Sequence, residues 1–533
     1  MANKLGRKGT ALVFFLLLLS NTNPSFAAKR EHNKPKQGGV FRFIALSDVT
    51  RIELDPANPY SFIFLSEQMY DGLVRLDKNL RIEPSLAEFW EISSDGTVYT
   101  FYLRKGVRFH DGSEFTAQDV KFSLERLLDR NVNSPHYQYF VARVEGARDY
   151  HEGRARDVRG FKVLDDATFQ IQWTKPFVPA LYLMSMHFCK ILPRKKVIED
   201  GENFWLRPSG TGPFVFDYWM RTPRLEISGV RLKRNDAYFD GRPYLDGLEF
   251  GTHFFTPDDF FEGKVDSIPV LTSRLLRSNY QIFQDGALTH FFLGMSCHIY
   301  PLDRPSIRQA LARGLDKAAI TEAAADIRYL RKVTDNYIPS RLYGFYPQRE
   351  QYPFDLKAAR EILRQEGFSQ ESRFPSLTVC FELPRTPLKN KIFREIRDQL
   401  SAMDISSRQN YYESPEELMR VGGPYLVFFS RALSIPDPED MIRPLFYSDS
   451  ILNGIGYRNP ELDGLIQDAE GERSLKKRVH IFQNIEKILR EDVPAIPLFS
   501  HQNRMAVQPY VRGVVVPALG VYYIDATKIW LDR

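Results

Sequence analysis

Between residues 85 and 128 the spacing of apolar side chains changes from a period of two to a helical period. Val98–Leu103 alternates aromatic and apolar residues with less apolar ones, which predicts a half-buried strand. Farther on, Thr116 is followed three residues later by Asp119, a pattern typical of a helix N-cap. The apolar stripe from Val120 to Leu128 continues from that cap. The stretch therefore predicts a hairpin followed by a helix.

The same two periods recur along the rest of the chain. Gly39–Ile44 and Phe169–Trp173 are predicted strands. Residues that favour the first turn of a helix precede four further amphipathic segments: Pro305, Asp355, Thr386 with Pro387, and Ser474. The helix after Ser474 is expected to bury Ile481, Ile485 and Ile488. Helices alternating with short apolar segments over residues 291–499 predict an α/β lobe, and the earlier half is richer in strands.

The first residues have the order of a secretory signal peptide. Lys4, Arg7 and Lys8 precede the nine apolar residues Ala11–Leu19, and Ser25–Ala27 supplies small residues at a cleavage site. An uncleaved membrane anchor would need about 20 apolar residues. We expect a signal peptide over residues 1–27, cleaved after Ala27, and a disordered polar leader over residues 28–38.

Composition limits the partners and the chemistry. Removing the charged start lowers the formal net charge from +5 to +2, which gives no reason to expect nucleic acid or an anionic membrane as a partner. The first of three cysteines is Cys189, so no thiol is near the cleavage site for lipid attachment, and the mature protein is expected in the periplasm. Cys189, Cys297 and Cys380 allow at most one internal disulfide, and their apolar neighbours favour buried thiols.

No sequence motif indicates catalysis or a bound metal. The ten histidines show no metal-ligand spacing, so we expect neither a metal site nor a cofactor. Ser209–Gly212 lacks the ending of a phosphate-binding loop and is interpreted as a turn that enters a strand. We therefore do not expect an enzyme. An exported hydrolase remains an alternative, because a catalytic pair cannot be recognised among 67 carboxylates.

Five blocks of the chain resemble, in order, the family 5 extracellular solute-binding proteins. These proteins are the receptors of peptide- and nickel-type ABC importers. The resemblance lies in SLAEFWEISSDGTVYTFYLRKGVRFHDGSEFTAQDVKFSLERLL (85–128), in 209–214 with 231–250, in 307–320, in 456–463 and in 492–498.

The resemblance implies an α/β fold: a two-lobe periplasmic-binding-protein clamshell (type II) with an additional peripheral subdomain in lobe one. Lobe one would comprise residues 39–290, with the peripheral subdomain at about 74–206, and the chain would return to it over residues 500–533. Lobe two would be residues 291–499. Phe291–Gly294 and Ile496–Ser500 would cross between the lobes, with Gly294 as a flexible point.

The resemblance also places a ligand-reading segment at residues 428–438 of lobe two. In peptide-binding members an aspartate of this segment pairs with the ligand's α-amino group, and here that position is Ser434. Arg431 stands where the family has a tryptophan. It would favour an anionic ligand if it faced the cleft, or it would point to solvent or pair with a neighbour. Phe428 and Phe429 are candidate stacking residues, and Asp437 is interpreted as a turn residue.

Lobe one would contribute the loop after Leu54–Ala57. The residues of this loop expected near the ligand are Asn58, Tyr60, Ser61 and Phe62.

Together these features predict the periplasmic substrate-binding component of an ABC importer. It would bind a small solute between its lobes as a monomer and deliver it to membrane permease subunits. The solute could be an oligopeptide, an opine, an oligosaccharide, an anionic conjugate or a metal chelate. A sensory receptor that reports to a membrane kinase or chemoreceptor is an alternative.

Overall fold

The computed structural model describes residues 34–44, 53–58, 62–251, 257–268, 273–276, 280–284, 288–325, 329–345, 347 and 351–533. The predicted signal peptide and the site residues Tyr60 and Ser61 lie outside these ranges. Lys36–Arg533 forms one compact unit. Among the helices of the described ranges, none combines the length and the apolar character that crossing a membrane requires.

The strands, in chain order, are β1 Val40–Ile44, β2 Val74–Leu76, β3 Ile82–Pro84, β4 Ala87–Ile92, β5 Val98–Leu103, β6 Phe161–Asp165, β7 Thr168–Gln172, β8 Phe214–Arg221, β9 Ile227–Arg234, β10 Gly247–Gly251, β11 Ser267–Ile268, β12 Gln281–Gln284, β13 Thr289–Met295, β14 Tyr329–Val333, β15 Leu377–Glu382, β16 Ser407–Tyr412, β17 Tyr425–Ala432, β18 Ala495–Val507, β19 Val511–Arg512 and β20 Trp530–Leu531.

The α-helices are α1 Ile63–Met69, α2 Ala117–Leu128, α3 Ala147–His151, α4 Ala180–Met184, α5 Arg194–Asp200, α6 Pro257–Phe261, α7 Ser273–Leu276, α8 Pro305–Gly314, α9 Lys317–Ala323, α10 Leu356–Gln365, α11 Pro387–Ala402, α12 Pro415–Leu418, α13 Pro438–Phe446, α14 Pro460–Gly471 and α15 Leu475–Asp492. Short 3₁₀ helices occupy Pro135–Tyr139, His187–Cys189, Gly201–Leu206, Val521–Tyr523 and Ala526–Lys528.

The strand and helix predicted between residues 85 and 128 are confirmed. β5 has the predicted bounds, and its alternate residues Tyr99, Phe101 and Leu103 are buried. α2 begins after Thr116, whose backbone N–H donates to Asp119 Oδ2 over 2.8 Å. This contact satisfies a backbone donor that the first turn of the helix leaves without a partner.

The four other helix starts are also confirmed. Asp355, Thr386 and Ser474 each accept a backbone N–H of the following turn, and Pro305 is the first residue of α8. The three isoleucines predicted on the apolar face of α15 pack against the core: Ile485 is buried, and Ile481 and Ile488 are partly buried. The helix also turns two charged side chains, Arg478 and Glu486, toward the interior.

The described strands include a twelve-stranded sheet with the order β16-β15-β17-β13-β18-β11-β1-β10-β9-β8. β12 and β14 pair additionally with β18. β15 runs parallel to β16 and β17, and β1 runs parallel to β10. Helices such as α8, α11 and α15 alternate with strands β13–β18, which confirms the α/β character predicted for residues 291–499.

β18 connects the two halves of this sheet. Its first half pairs with β13 and β14, and its last residues pair with β11 and β12. The expected lobe crossings at Phe291–Gly294 and Ile496–Ser500 thus lie on two strands that are hydrogen-bonded to each other.

A smaller four-stranded sheet lies in the predicted peripheral subdomain. Its order is β4-β5-β7-β6, and the hairpin β2-β3 stands beside it. Together with α2 and α4 these strands enclose a separate apolar core. The core also contains one side chain from lobe two, Ile435, which is 4% exposed. The peripheral subdomain is therefore in direct contact with the predicted ligand-reading segment.

Gly294 lies in the middle of β13, where it is paired with Val427 on one side and Ala495 on the other. A Cβ at this position would lie 2.7 Å from Ile455 and 2.9 Å from the ring of Phe429. The glycine makes room for close packing, and the expectation of a flexible point is not supported at this residue. The three cysteines are free, and Cys189 and Cys380 are buried as expected.

Candidate functional site

A cavity of about 340 Å³ lies between the segments predicted as lobe two and the peripheral subdomain. Lobe two contributes the end of β17, the loop that follows and the start of α13. The peripheral subdomain contributes the segment from Pro135 to Arg143, together with Phe177 and Pro179. Two of the predicted site residues, Arg431 and Ser434, line this cavity.

The loop between β17 and α13 is held by two aspartates. Asp437 is the N-cap of α13, and its Oδ1 accepts the backbone N–H of Glu439 over 2.9 Å. Asp440 Oδ2 accepts the backbone N–H groups of Ser434 and Ile435 over 2.7 and 3.0 Å. Carboxylates in the first turn of a helix are favoured both by its unpaired N–H groups and by its dipole. These contacts fix the position of Ser434 at the cavity wall.

Arg431 pairs with a neighbour, one of the arrangements that the sequence left open. Its Nη2 donates to Asp440 Oδ1 over 2.7 Å, and its Nε donates to the backbone oxygen of the same residue over 3.1 Å. The guanidinium is thus neutralised by a carboxylate of its own lobe. The idea that Arg431 selects an anionic ligand loses its support, because the positive charge is already compensated.

Asp437 has a larger role than that of a turn residue. Its carboxylate forms two hydrogen bonds with the guanidinium of Arg478, over 2.6 and 3.0 Å, and it accepts the hydroxyl of Tyr343. Both charged side chains are 1% exposed. This ion pair anchors the start of α13 to α15.

A second group of charges joins lobe two to the peripheral subdomain. Arg443 donates to Glu439 Oε1 over 2.7 Å and to Glu470 Oε2 over 3.0 Å. Arg143, from the peripheral subdomain, donates to Glu470 Oε1 over 3.1 Å. Its guanidinium also lies 4.9 Å from the ring centre of Phe177, within the range of a cation–π contact. The cavity is therefore closed on one side by a salt-bridge network between the two parts of the chain.

Two aromatic side chains of the peripheral subdomain complete the wall. Tyr139 lines the cavity together with Ser434 and Arg431, and burial raises the pKa of its phenol to about 12. His136 stacks on Phe188 with a centroid distance of 4.0 Å. Burial lowers the pKa of His136 to about 4, so its imidazole is neutral at neutral pH.

The other predicted site residues are not brought to this cavity. Phe428 is 8% exposed and packs among Phe291, Phe381 and Phe499 in the core of lobe two. Phe429, half-buried, stacks on Phe292. These contacts are those of side chains that pack in or against the core, and they occur in the middle of strand β17.

In lobe one, Phe62 packs edge-on against Phe250 with centroids 4.3 Å apart, also inside a core. Asn58 lines a different, open cavity of about 1070 Å³ together with Arg126 and Trp205. Arg126 forms a two-pronged ion pair with Asp55 there, over 2.7 and 2.5 Å.

Sequence reasoning missed the residues that the peripheral subdomain supplies, namely His136, Tyr139 and Arg143. The segment Pro135–Tyr139 contains three aromatic or imidazole side chains with polar tips, directly after an N-capping serine. That cluster could have indicated a binding segment. Nothing in it, however, indicates contact with Arg431 and Ser434, which lie some 300 positions later in the sequence. In the ranges that the structure describes, no three His, Cys, Asp or Glu side chains converge as a metal site.

Comparison with known proteins decides the family. The model for the bacterial extracellular solute-binding proteins, family 5 Middle, matches residues 81–453. The chain belongs to family 5 of the bacterial extracellular solute-binding proteins. The match includes both walls of the cavity, from the peripheral subdomain to the start of α13. This family 5 protein is thus a solute-binding protein, and the family consists of binding proteins.

Relatives along most of the chain support the assignment. The family 5 protein is 26% identical over 494 residues to the dipeptide-binding protein of Escherichia coli (strain K12), covering 87% of this chain and 89% of the relative. It superposes on HbpA2 from Haemophilus parasuis with a TM-score of 0.79 at 22% identity, over 93% of this chain and 100% of the other. It superposes on DppA from Helicobacter pylori, an ABC transporter-associated periplasmic binding protein solved with the peptide STSA, with a TM-score of 0.69 at 25% identity, over 93% and 99% of the two chains. The predicted two-lobe α/β fold is confirmed.

Proposed function

We propose that this protein is the periplasmic receptor of an ABC importer and that it binds its solute in the cavity between lobe two and the peripheral subdomain. The observation that carries the proposal is that Arg431, Ser434 and Tyr139 line the same cavity, although they come from distant parts of the chain. Cavities between domains can exclude water from a ligand and surround it with groups from both sides. The names of the relatives, dipeptide-binding protein and ABC transporter-associated periplasmic binding protein, agree with this role.

In this proposal the mechanism is binding without covalent chemistry. Lobe one would comprise residues 39–290 and 500–533, with the peripheral subdomain at about 74–206, and lobe two residues 291–499. Movement of the lobes would enclose the solute, and the enclosed form would be recognised by permease subunits in the inner membrane. Tyr60 and Ser61 stay candidate contacts from lobe one, whereas Asn58 lines the separate cavity beside Arg126. Phe62, Phe428 and Phe429 would support the lobes from their cores.

The proposed location follows from the start of the chain. Residues 1–27 would direct export and be removed after Ala27, and the mature protein would act as a monomer without a lipid anchor. Mass spectrometry of the protein purified from the producing cell tests this part, because cleavage after Ala27 gives a defined mass that lipidation or retention of the leader would change.

Binding and transport can be tested together. The mature protein is screened by thermal shift against peptides, sugars, opines and organic anions, and bound solutes from a cell extract are identified by mass spectrometry. A solute present at about 100 times its dissociation constant should stabilise the protein by about 2.7 kcal/mol. The liganded protein should then stimulate ATP hydrolysis by its permease complex in vesicles. Conversion of the solute instead of stoichiometric binding would support a hydrolase, and binding without stimulation would support a sensory receptor.

A further inference from the structure

We infer that the group of the solute that enters this cavity is uncharged and contains a ring. The inference rests on the proposed function and deepens it, because it specifies what the cavity between lobe two and the peripheral subdomain recognises. It concerns that group alone, so charges elsewhere on the solute are not restricted.

The first observation is the balance of charge around the cavity. The carboxylates on the described lining or directly behind it belong to Asp437, Glu439, Asp440 and Glu470, and the guanidiniums belong to Arg143, Arg431, Arg443 and Arg478. The four negative groups equal the four positive ones. The net charge of this group of side chains is therefore zero, and moving a proton from one partner of a pair to the other does not change it.

The second observation is that these charged side chains already form ion pairs with one another. Asp440 accepts from Arg431 and from two backbone N–H groups. Asp437 is held by both prongs of Arg478. Glu439 Oε1 accepts from Arg443, whereas its Oε2 has no hydrogen-bond partner among the described residues and lies 3.7 Å from the Arg478 guanidinium.

A charged ligand group would have to compete with these pairs. An ammonium would compete with these guanidiniums for their carboxylates, and an anion would compete with the carboxylates for their guanidiniums. Breaking a pair to bind a charged ligand group is most unfavourable at Asp437 and Arg478, where both side chains are 1% exposed. Ser434 lines the same cavity, and its hydroxyl cannot neutralise a charge.

The groups that remain for a ligand are neutral or apolar. Ser434 and Tyr139 contribute hydroxyls, Gln138 contributes a side-chain amide, and His136 is neutral. The apolar lining consists of Pro135, Phe177, Pro179, Ile435, Pro444 and Leu452. Aromatic and proline faces favour planar rings, and the hydroxyls can bind an amide beside the ring. The volume of about 340 Å³ is near the lower end of ligand sites, so the group is compact.

Two kinds of solute present such a group. One is a peptide with a blocked amino terminus and an aromatic first residue. The other is a free aromatic amide. Calorimetric titration of the mature protein with N-acetyl-Phe-Ala, Phe-Ala and benzamide separates them, because the two peptides differ only at the α-amino group. N-acetyl-Phe-Ala should bind at least about tenfold more tightly than Phe-Ala. If benzamide competes with N-acetyl-Phe-Ala for the cavity, the ring with its amide is the part of the ligand that the cavity recognises.

A pair of serine variants tests the location. Ser434→Asp adds a carboxylate at the cavity wall and should reverse the preference toward Phe-Ala. Ser430→Asp adds the same charge at an exposed position of β17 and should leave the preference unchanged. Circular dichroism verifies that both variants fold.

The outcomes are distinct. Tighter binding of Phe-Ala by the unmodified protein, or no binding of any of the three probes, would overturn the inference. An equal response of the two aspartate variants would overturn its location. In each case the receptor function survives if another solute binds and stimulates the permease, and it fails only if neither the screen nor the cell extract yields a bound solute.

Discussion

Arg478 Nη1 lies 2.6 Å from Asp437 Oδ2, and Nη2 lies 3.0 Å from Oδ1, inside lobe two where each side chain is 1% exposed. The pair links the last long helix of lobe two to the N-cap beside the cavity. Because neither group can be solvated by water, each depends on the other. The loop that carries Ser434 is thus positioned by a residue 44 positions later in the sequence.

Replacing Arg478 by methionine should therefore destabilise the protein strongly. The variant leaves Asp437 buried without its partner, and we expect a loss of about 3–5 kcal/mol in the free energy of unfolding, measured by urea denaturation. Arg397→Met is the matched control, because Arg397 pairs with Asp398 at the surface, where the side chains are 47% and 65% exposed. Arg397→Met should leave the free energy of unfolding almost unchanged. Equal losses for the two variants would contradict the structure.

Asp440→Ala should disorder the cavity wall. The substitution removes the acceptor of two backbone N–H groups and the partner of Arg431, so we expect a loss of about 2–3 kcal/mol in stability and weaker solute binding. Asp449→Ala, at a side chain that is 79% exposed, serves as the control.

The Arg431–Asp440 contact can be measured directly. A double-mutant cycle with Arg431→Met and Asp440→Ala should give a coupling of about 0.5–3 kcal/mol. Additive effects would mean that Arg431 is not neutralised by Asp440, and an anionic ligand would again be favoured.

Glu486 should make stability depend on pH. Burial raises the pKa of its carboxyl from 4.5 to about 7, although the backbone N–H of Tyr337 donates to it over 2.7 Å. The folded protein therefore holds the proton more tightly than the unfolded chain does. The resulting stability is fully present below about pH 4.5 and is lost as the pH rises through 7, by roughly 3 kcal/mol in all.

The variant Glu486→Gln isolates this contribution, because glutamine keeps the acceptor for the Tyr337 N–H but does not titrate. Urea denaturation of both proteins from about pH 5 to about pH 8 should show the original protein losing stability relative to the variant as pH rises. A constant difference over that range would mean that Glu486 titrates normally.

Gly294→Ala tests the close packing of β13. The new methyl would lie 2.7 Å from Ile455 and 2.9 Å from Phe429, and we expect a loss of about 1–3 kcal/mol by thermal or urea unfolding. Gly464→Ala is the control in helix α14, where no atom lies within 4 Å of the added methyl. It should instead raise stability by about 0.5–1 kcal/mol, since alanine favours a helix.

Local patterns were sufficient for the elements but not for the site. β5, α2 and the caps at Thr116, Asp355 and Ser474 depend on residues a few positions apart, so alternation and capping indicated them. The inward position of Arg478 on α15 was not predicted, because it depends on the pairing of this charged residue with Asp437. The hydrophobic pattern of α15 alone cannot reveal that Asp437 lies beside Arg478.

The lining of the cavity also shows that local sequence patterns do not predict contacts between distant segments. Family resemblance placed Arg431 and Ser434, which do line it, but also Phe428 and Phe62, which belong to cores. Tyr139 and His136 come from a subdomain that was expected to be peripheral to the ligand. Their proximity to Ser434 is produced by packing between distant segments, such as the insertion of Ile435 into the subdomain core, and no short-range rule predicts it.

The strand β18 has a consequence for how the molecule can move. It enters the half of the sheet that contains β13 and leaves through the half that contains β11, without an interruption between them. A change in the angle between the halves must therefore be taken up as extra twist or bend of a continuous, hydrogen-bonded ribbon. We expect such a ribbon to resist bending, so the angle between the two halves of the sheet should have one preferred value.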